Sequence, residues 1–352
     1  MSLSYRVVDW NRQKRWYDIS LGLLLLLGLG TYLAGSALRF PNLTLESLIL
    51  RGTAIAAFTL LHVILAIGPL ARLDRRFLPW LYNRRHLGVT LFFLALVHAV
   101  FALLQFHALS DTFPLLSVFT AYQRDYRILA DGRFTIAHFP FEPFGLAALV
   151  IFFVMAATSH DFWLRNLGAA FWKSLHLAVY VAYGLLLAHV ALGALQAETS
   201  PVYPVVLGAG FITLAGLHLT AARREQRVDR TRSRRTPDGY VAAGALADFP
   251  ENQGRVVMIE GRRIAAFRQG DRVFATSNVC RHQGGALGEG RLVDGCITCP
   301  WHGWTYQPHD GCSPPPFQER VATYPVRIDE GVVYIGALPN PAPDPTVTIL
   351  PA

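Results

Sequence analysis

Charge is what this chain has least of. Asp, Glu, Lys and Arg make up only 16% of its 352 residues, 52% are hydrophobic, and the mean hydropathy is +0.31. A soluble globular protein carries about a quarter charged residues. The deficit is uneven: six windows, 19–38, 52–71, 87–110, 143–160, 174–197 and 199–222, contain none of the four charged types. Each can cross about 30 Å of hydrocarbon at about 1.5 Å per residue, with 143–160 at the short limit. Six in succession argue against the buried helices of a large soluble protein and for a membrane bundle. Cysteine is scarce too. There are four, at positions 280, 296, 299 and 312, and none lies in the apolar part, so no disulfide framework holds that part. No G-x-G-x-x-G turn occurs, which excludes that phosphate cradle of dinucleotide-binding folds. No internal repeat is found.

What charge there is has a side. Arg6, Arg12, Lys14 and Arg15 precede the first window. Arg72, Arg75, Arg76, Arg84 and Arg85 lie between the second and third, and Arg165 and Lys173 between the fourth and fifth. Seven arginines follow the sixth between 223 and 235. The opposite connections hold only Arg39, Arg51, Arg124, Arg127 and Arg133. The positive-inside rule therefore gives six spans with both termini cytoplasmic. Trp16, Tyr17, Trp80, Tyr82 and Trp172 flank spans on that same side, as interfacial aromatics do. The run 21–33 reads as a first span; cleaving it as a signal peptide would disturb the charge alternation. The net charge of +8 is accounted for mostly by arginines facing anionic lipid and calls for no nucleic acid.

These patterns predict a multi-domain protein, an α-helical six-span membrane bundle followed by a small all-β domain. The bundle occupies 1–222, a basic juxtamembrane linker 223–238, the β domain 239–338 and a Pro-rich tail 339–352. Alternating segments at 256–259, 263–267, 272–276 and 332–335, with Gly, Asp and Pro between them, mark the strands. The loop at about 111–142 contains Phe113, Tyr122, Tyr126, Phe134 and Phe139, too apolar for a free linker, and predicts a short helix or cap.

Cys280-Arg281-His282 and, after sixteen residues, Cys299-Pro300-Trp301-His302 form two mixed Cys/His half-sites, each in a glycine-rich stretch. Two thiolates can hold one iron of a [2Fe–2S] cluster and two imidazoles the other, which raises its potential above that of an all-cysteine cluster. Gly284, Gly285 and Gly303 stand where backbone must come close or take positive φ. A zinc site would use C-x2–4-C and H-x3–5-H pairs instead. Cys296 and Cys312 could pair as a disulfide, but a cytoplasmic location favours free thiols. The stretches VCRHQGGALGEG, GCITCPWHGWTY and SPPPFQERVATYPVRIDEGVVYI closely resemble the Rieske family over about 239–338. The resemblance implies Cys280, His282, Cys299 and His302 as ligands. Quinol-oxidising members have a further cysteine in each loop where this chain has Gly285 and Trp301, and a serine where it has Trp304; Tyr306 matches their tyrosine. Fewer hydrogen bonds to sulfur imply a lower, ferredoxin-like potential. No oxygenase catalytic domain is expected after it.

Histidine in a bilayer usually faces the bundle interior for a reason. His62, His98, His176, His189 and His218 lie in the apolar windows, and His86 at the start of the third. From the cytoplasmic ends, His98 is about 16 Å deep and His189 about 22 Å, level with modest tilt. His176 and His189 are thirteen residues apart, so an ideal helix turns them to different faces and a bend or bulge is needed. The stretches RRHLGVTLFFLALVHAV and FWKSLHLAVYVAYGLLLAHVALG resemble the ferric reductase-like transmembrane family over about 45–222. The resemblance implies His98, His176 and His189 as ligands of one or two haem b groups, with His86, His218 or His62 as a fourth. The chain would be an inner-membrane electron carrier. A cytoplasmic ferredoxin or flavoprotein reductase would feed it, and a periplasmic acceptor or quinone would drain it. The alternatives are a redox sensor or assembly protein without turnover, and a quinol-linked Rieske carrier.

Overall fold

A computed structural model describes residues 12–81, 83–108, 113–120, 141–167, 169–197, 200–230, 235–315 and 317–341. Arg6, Tyr82, Tyr122, Arg124, Tyr126, Arg127, Arg133, Phe134, Phe139, Arg232, Arg234 and the tail from 342 lie outside them. The helices are α1 (Arg12–Arg39), α2 (Leu45–Leu73), α3 (Leu78–Leu81), α4 (Arg84–Phe106), α5 (Pro114–Thr120), α6 (Glu142–Ala157), α7 (Asp161–Leu167), α8 (Ala169–His176), α9 (Val179–Leu192), α10 (Ala194–Ala197) and α11 (Val202–Asp229). The strands are β1 (Tyr240–Ala245), β2 (Gly254–Ile259), β3 (Arg262–Gln269), β4 (Arg272–Ser277), β5 (Arg291–Val293), β6 (Cys296–Thr298), β7 (Thr305–Tyr306), β8 (Thr323–Tyr324), β9 (Val326–Asp329) and β10 (Val332–Gly336). The described residues fall into two compact units. One lies within 1–65, 83–160 and 174–213, the other within 66–82, 161–173 and 214–352.

Among the described residues, five helical stretches are long and apolar enough to cross a membrane: Arg15–Arg39, Leu45–Leu73, Arg84–Phe106, Phe171–Leu192 and Val202–Asp229. The remaining expected span, α6, has 16 residues, about 24 Å of helix. In the first unit α6 packs between α4 and α9, with Leu91, Ala148, Phe152, Ala182 and Tyr183 buried. The apolar window 174–197 is not one helix. Leu177, Ala178 and Tyr180 donate to Ser174, Leu175 and Leu177, each three residues back. This tight winding separates α8 from α9. An ideal helix leaves thirteen residues roughly 140° short of four turns, and three residues wound at three per turn recover roughly 60° of that. His176 and His189 are thereby brought closer to one face. At the far end the helix ends at Gly193, where only glycine fits: a Cβ there would stand 2.4 Å from the Phe141 ring. The expected helix in the long loop is α5, and α11 runs through the first seven residues of the charged stretch 223–238.

In the second unit, three antiparallel sheets have the orders β1-β10-β9, β2-β3-β4-β8 and β5-β6-β7. Two-residue turns at Glu260-Gly261, Asp294-Gly295 and Glu330-Gly331 join strand pairs, both residues at positive φ, as tight hairpins require. β3 is buried on both sides, and its period of two divides its side chains between two cores. Ile264 and Ala266 join Val241, Phe249, Val257, Val333 and Ile335. Ala265 and Phe267 join Cys280, Leu287, Ile297, Cys299 and Tyr306. The second core is the floor of the site.

Candidate cluster and haem sites

The two Cys/His loops have one backbone design. The first follows β4 and the second joins β6 to β7. In each, the cysteine carbonyl accepts from a glycine N–H four residues on (Gly284, 2.8 Å; Gly303, 3.0 Å). The cysteine N–H donates to the next carbonyl (Gly285, 2.9 Å; Trp304, 2.8 Å). Gly284 has φ +72° and Gly303 φ +69°, a conformation that penalises a Cβ. Gly285 meets a different limit: a Cβ there would lie 2.8 Å from Cys299 Sγ and 3.0 Å from Trp301 Cγ. Gly285 and Trp301 therefore touch.

The chemistry of the donors is equally paired. Cys280 and Cys299 are buried and within hydrogen-bonding reach of each other. Each sulfur faces the backbone N–H groups two and three residues on, from His282 and Gln283 in one loop and Trp301 and His302 in the other. Hydrogen bonding from Cys299, then Tyr306 and these amides, holds the Cys280 thiol at about 7 despite its burial. Cys299 is pushed up by its bond to Cys280 and by burial. The Tyr306 hydroxyl accepts from Arg281 N–H at 2.9 Å and lies 3.3 Å from Cys280 Sγ. His282 and His302 stand 5.3 Å apart between ring centres, at 79°, and the Nδ1 of both is buried. Two soft thiols on one side and two imidazoles on the other suit a dinuclear iron cluster. Trp304 stacks on His282 at 4.5 Å and 6°, Phe317 packs on Trp304, and the indole N–H goes to Ser313 at 2.9 Å, away from sulfur. Cys296 and Cys312 are free.

The first unit brings His98 and His189 together, with ring centres 6.4 Å apart and planes at 85°. His98 Nδ1 lies 3.0 Å from the Leu50 carbonyl and His189 Nδ1 3.0 Å from that of Phe141. A carbonyl only accepts, so both Nδ1 atoms carry the proton and Nε2 is the nitrogen left for a metal. These two residues would hold a haem, which would supply a one-electron carrier. Gly145 makes room for the His189 ring, because a Cβ there would stand 2.8 Å from it. Phe141 is held in turn by its neighbour: His107 Nε2 lies 3.0 Å from Glu142 Oε2, and its Nδ1 lies 2.8 Å from Ser117 Oγ.

The other histidines are placed differently. His62 has both nitrogens engaged, Nδ1 with Phe58 O at 2.9 Å and Nε2 with Tyr183 OH at 3.1 Å. His86 faces Asp18 at 2.7 Å. Both fit interhelical contacts better than a fourth haem ligand. His176 closes α8 and His218 lies on α11, each with Nε2 buried. Sequence reasoning missed the Leu50 and Phe141 carbonyls, Gly145, the His107–Glu142 contact and the Trp304 stack. Only the lone Gly145 in an apolar run carried a signal, that of close approach.

Residues 239–325 match the Rieske [2Fe-2S] domain, and residues 52–187 match the Ferric reductase like transmembrane component. The anthranilate 1,2-dioxygenase ferredoxin subunit of Burkholderia cepacia is 36% identical over 95 residues, 26% of this chain and 86% of that protein. The naphthalene 1,2-dioxygenase ferredoxin component of Pseudomonas aeruginosa is 30% identical over 99 residues, 27% and 93% of the two. Cholesterol 7-desaturase nvd of Hemicentrotus pulcherrimus is 30% identical over 94 residues, only 20% of its length. With its apolar helices, this pair of domains makes the chain an integral membrane protein of electron transfer, with redox partners and a [2Fe–2S] cluster. The chain belongs to the Rieske family through its C-terminal domain, fused to a ferric reductase-like transmembrane component.

Proposed function

We propose that the chain carries electrons across the bilayer, from a cytoplasmic donor to an exoplasmic acceptor. In this reading Cys280, Cys299, His282 and His302 would hold the cluster, and His98 and His189 would hold haem b. The cluster and the haem supply one-electron carriers. The rest is the work of the chain's own groups. Tyr306 and four backbone amides stabilise charge at the sulfurs, Leu50 and Phe141 orient the haem imidazoles, and Trp304 shields one face of His282. The observation that carries the proposal is the 6.4 Å His98–His189 pair, built into the same chain as the two matched Cys/His loops.

The arginine distribution supports six spans in the inner membrane with the Rieske domain on the cytoplasmic side, the short α6 being the sixth. The ferredoxin components among its relatives support a soluble ferredoxin or flavoprotein reductase as donor. A periplasmic protein or a quinone would serve as acceptor. The geometry supports one haem; a second would use His176. The test is to purify the protein and titrate it potentiometrically. Separate one-electron steps for an iron–sulfur cluster and a b-type haem, the latter lost in His98→Ala and His189→Ala, support the reading. A spectrum without haem b would remove the transmembrane step.

A further inference from the structure

The second unit contains a cavity of about 330 Å³ that electron transfer does not use. It is lined by the end of α2, the turn after it, α11, β2, and the segment following the first cluster loop. Five arginines, Arg72, Arg75, Arg224, Arg255 and Arg263, face two carboxylates, Glu225 and Glu289; with Asp229 and Asp248, which pair with two of the arginines from outside the lining, the excess is one positive charge. Three of the arginines are engaged by acids. Arg72 Nε is 3.0 Å from Glu225, Arg263 grips Asp229 with two hydrogen bonds of 2.8 and 2.7 Å, and Arg255 is 3.5 Å from Asp248 and covers the Phe249 ring.

Arg75 and Arg224 are different. Arg75 donates to the Gln253 side-chain carbonyl and to Gly254 O (2.7 Å), and Arg224 donates to Leu73 O (2.6 Å). Among the described residues neither has a carboxylate at ion-pair distance. Neutral acceptors fix a guanidinium without cancelling its charge. Partial loss of water and the neighbouring Arg224 hold Arg75, an exposed side chain, below the usual guanidinium range, against the opposing pull of Glu289. Glu289, the acid nearest to offsetting this, is itself pushed up by burial. Two like charges anchored beside one cavity leave a place for an anion, and planar guanidinium groups match phosphate oxygens. The depth is also suggestive of its source. The charge-free windows end at 71 and 222, immediately before these arginines, and basic pockets at the cytoplasmic ends of spans take lipid headgroups.

We propose that this cavity binds a phosphate-bearing anion, with Arg75 and Arg224 as its principal ligands, supplied either by the headgroup of an anionic phospholipid or by soluble phosphate. Full-length protein carrying its cofactors is titrated with inorganic phosphate in detergent. In parallel it is reconstituted in phosphatidylcholine vesicles with and without phosphatidylglycerol, and retained lipid is counted after re-extraction. Saturable binding in at least one arm is expected. It should be weakened at least about tenfold by Arg75→Gln with Arg224→Gln and left unchanged by Arg227→Gln with Arg230→Gln, which lie outside the cavity. Binding of phosphatidylglycerol alone assigns the site to lipid, and binding of inorganic phosphate assigns it to a soluble anion. Arg75→Lys with Arg224→Lys keeps the charge and should bind with intermediate strength, which covers the case in which the glutamine pair does not fold. No saturable binding in either arm, or equal weakening by the two glutamine pairs, overturns the proposal in favour of diffuse surface charge.

Discussion

Replacing Tyr306 by Phe removes a hydroxyl from the floor of the cluster site and leaves its ring, fully buried, in place. That hydroxyl accepts from Arg281 N–H at 2.9 Å, so its own proton is available to Cys280 Sγ at 3.3 Å. Reduction adds negative charge to the cluster and strengthens any hydrogen bond to its sulfurs, so the bond favours the reduced state. A hydrogen bond to a charged group is worth about 1.5–3 kcal/mol in total. If a third to a half of that is gained on reduction, the difference is about 0.5–1.5 kcal/mol. At 59 mV per factor of ten for one electron, Tyr306→Phe should lower the midpoint by about 20–65 mV. Redox titration followed by electron paramagnetic resonance measures it on both proteins at matched cluster occupancy. An unchanged or higher midpoint with an intact cluster would refute the argument that this hydroxyl addresses sulfur.

Other perturbations test the remaining geometry. Gly145→Ala drives a methyl into the His189 ring at 2.8 Å and should strip most haem from the purified protein, whereas Gly30→Ala, with open space around it, should not; equal haem content in both contradicts the placement of His189. His62→Ala should keep its haem and lose about 1 kcal/mol of stability with the Tyr183 hydrogen bond, while His98→Ala loses the haem, as a haemochrome assay will show. Gly285→Ala should cut iron and acid-labile sulfide several-fold, because its methyl reaches Cys299 Sγ at 2.8 Å; full occupancy would mean the loops are slacker than they look. Burial raises the Glu289 carboxyl, so between the ordinary carboxylate value and the raised one the folded protein holds more protons than the unfolded. Stability therefore falls as pH rises through that window and levels above it. Glu289→Gln should flatten this fall, matching wild type near about pH 4 and exceeding it near neutrality; a variant weaker at neutral pH would show that the surrounding arginines outweigh burial.

The cluster site was legible because its chemistry is local. Ligand spacing, the loop glycines and Tyr306 sit within 27 residues, and the longer strands nearby are short apolar runs bounded by turn residues. β5 to β8 escaped notice because strands of two or three residues are too short to show a period. The haem pair was half legible. Depth placed His98 and His189 at one level, but the acceptors that fix their tautomer are main-chain carbonyls of Leu50 and Phe141, which no residue type betrays. The break between α8 and α9 depends on hydrogen-bond spacing in an unbroken apolar run, and hydropathy does not register it. The charges of 223–238 read as a solvated linker, yet Arg224, Glu225 and Asp229 are helical and engaged with Leu73, Arg72 and Arg263, because long-range partners replace the water that composition assumes.

Vectorial electron transfer can be followed in proteoliposomes with the Rieske domain outward. A reduced ferredoxin too large to cross the bilayer is added outside, and ferricyanide is trapped inside. The trapped ferricyanide should bleach, and His98→Ala and Cys299→Ser should each abolish the bleaching. Protein loaded with both cluster and haem that is reduced from outside, yet leaves the ferricyanide oxidised, would contradict vectorial transfer.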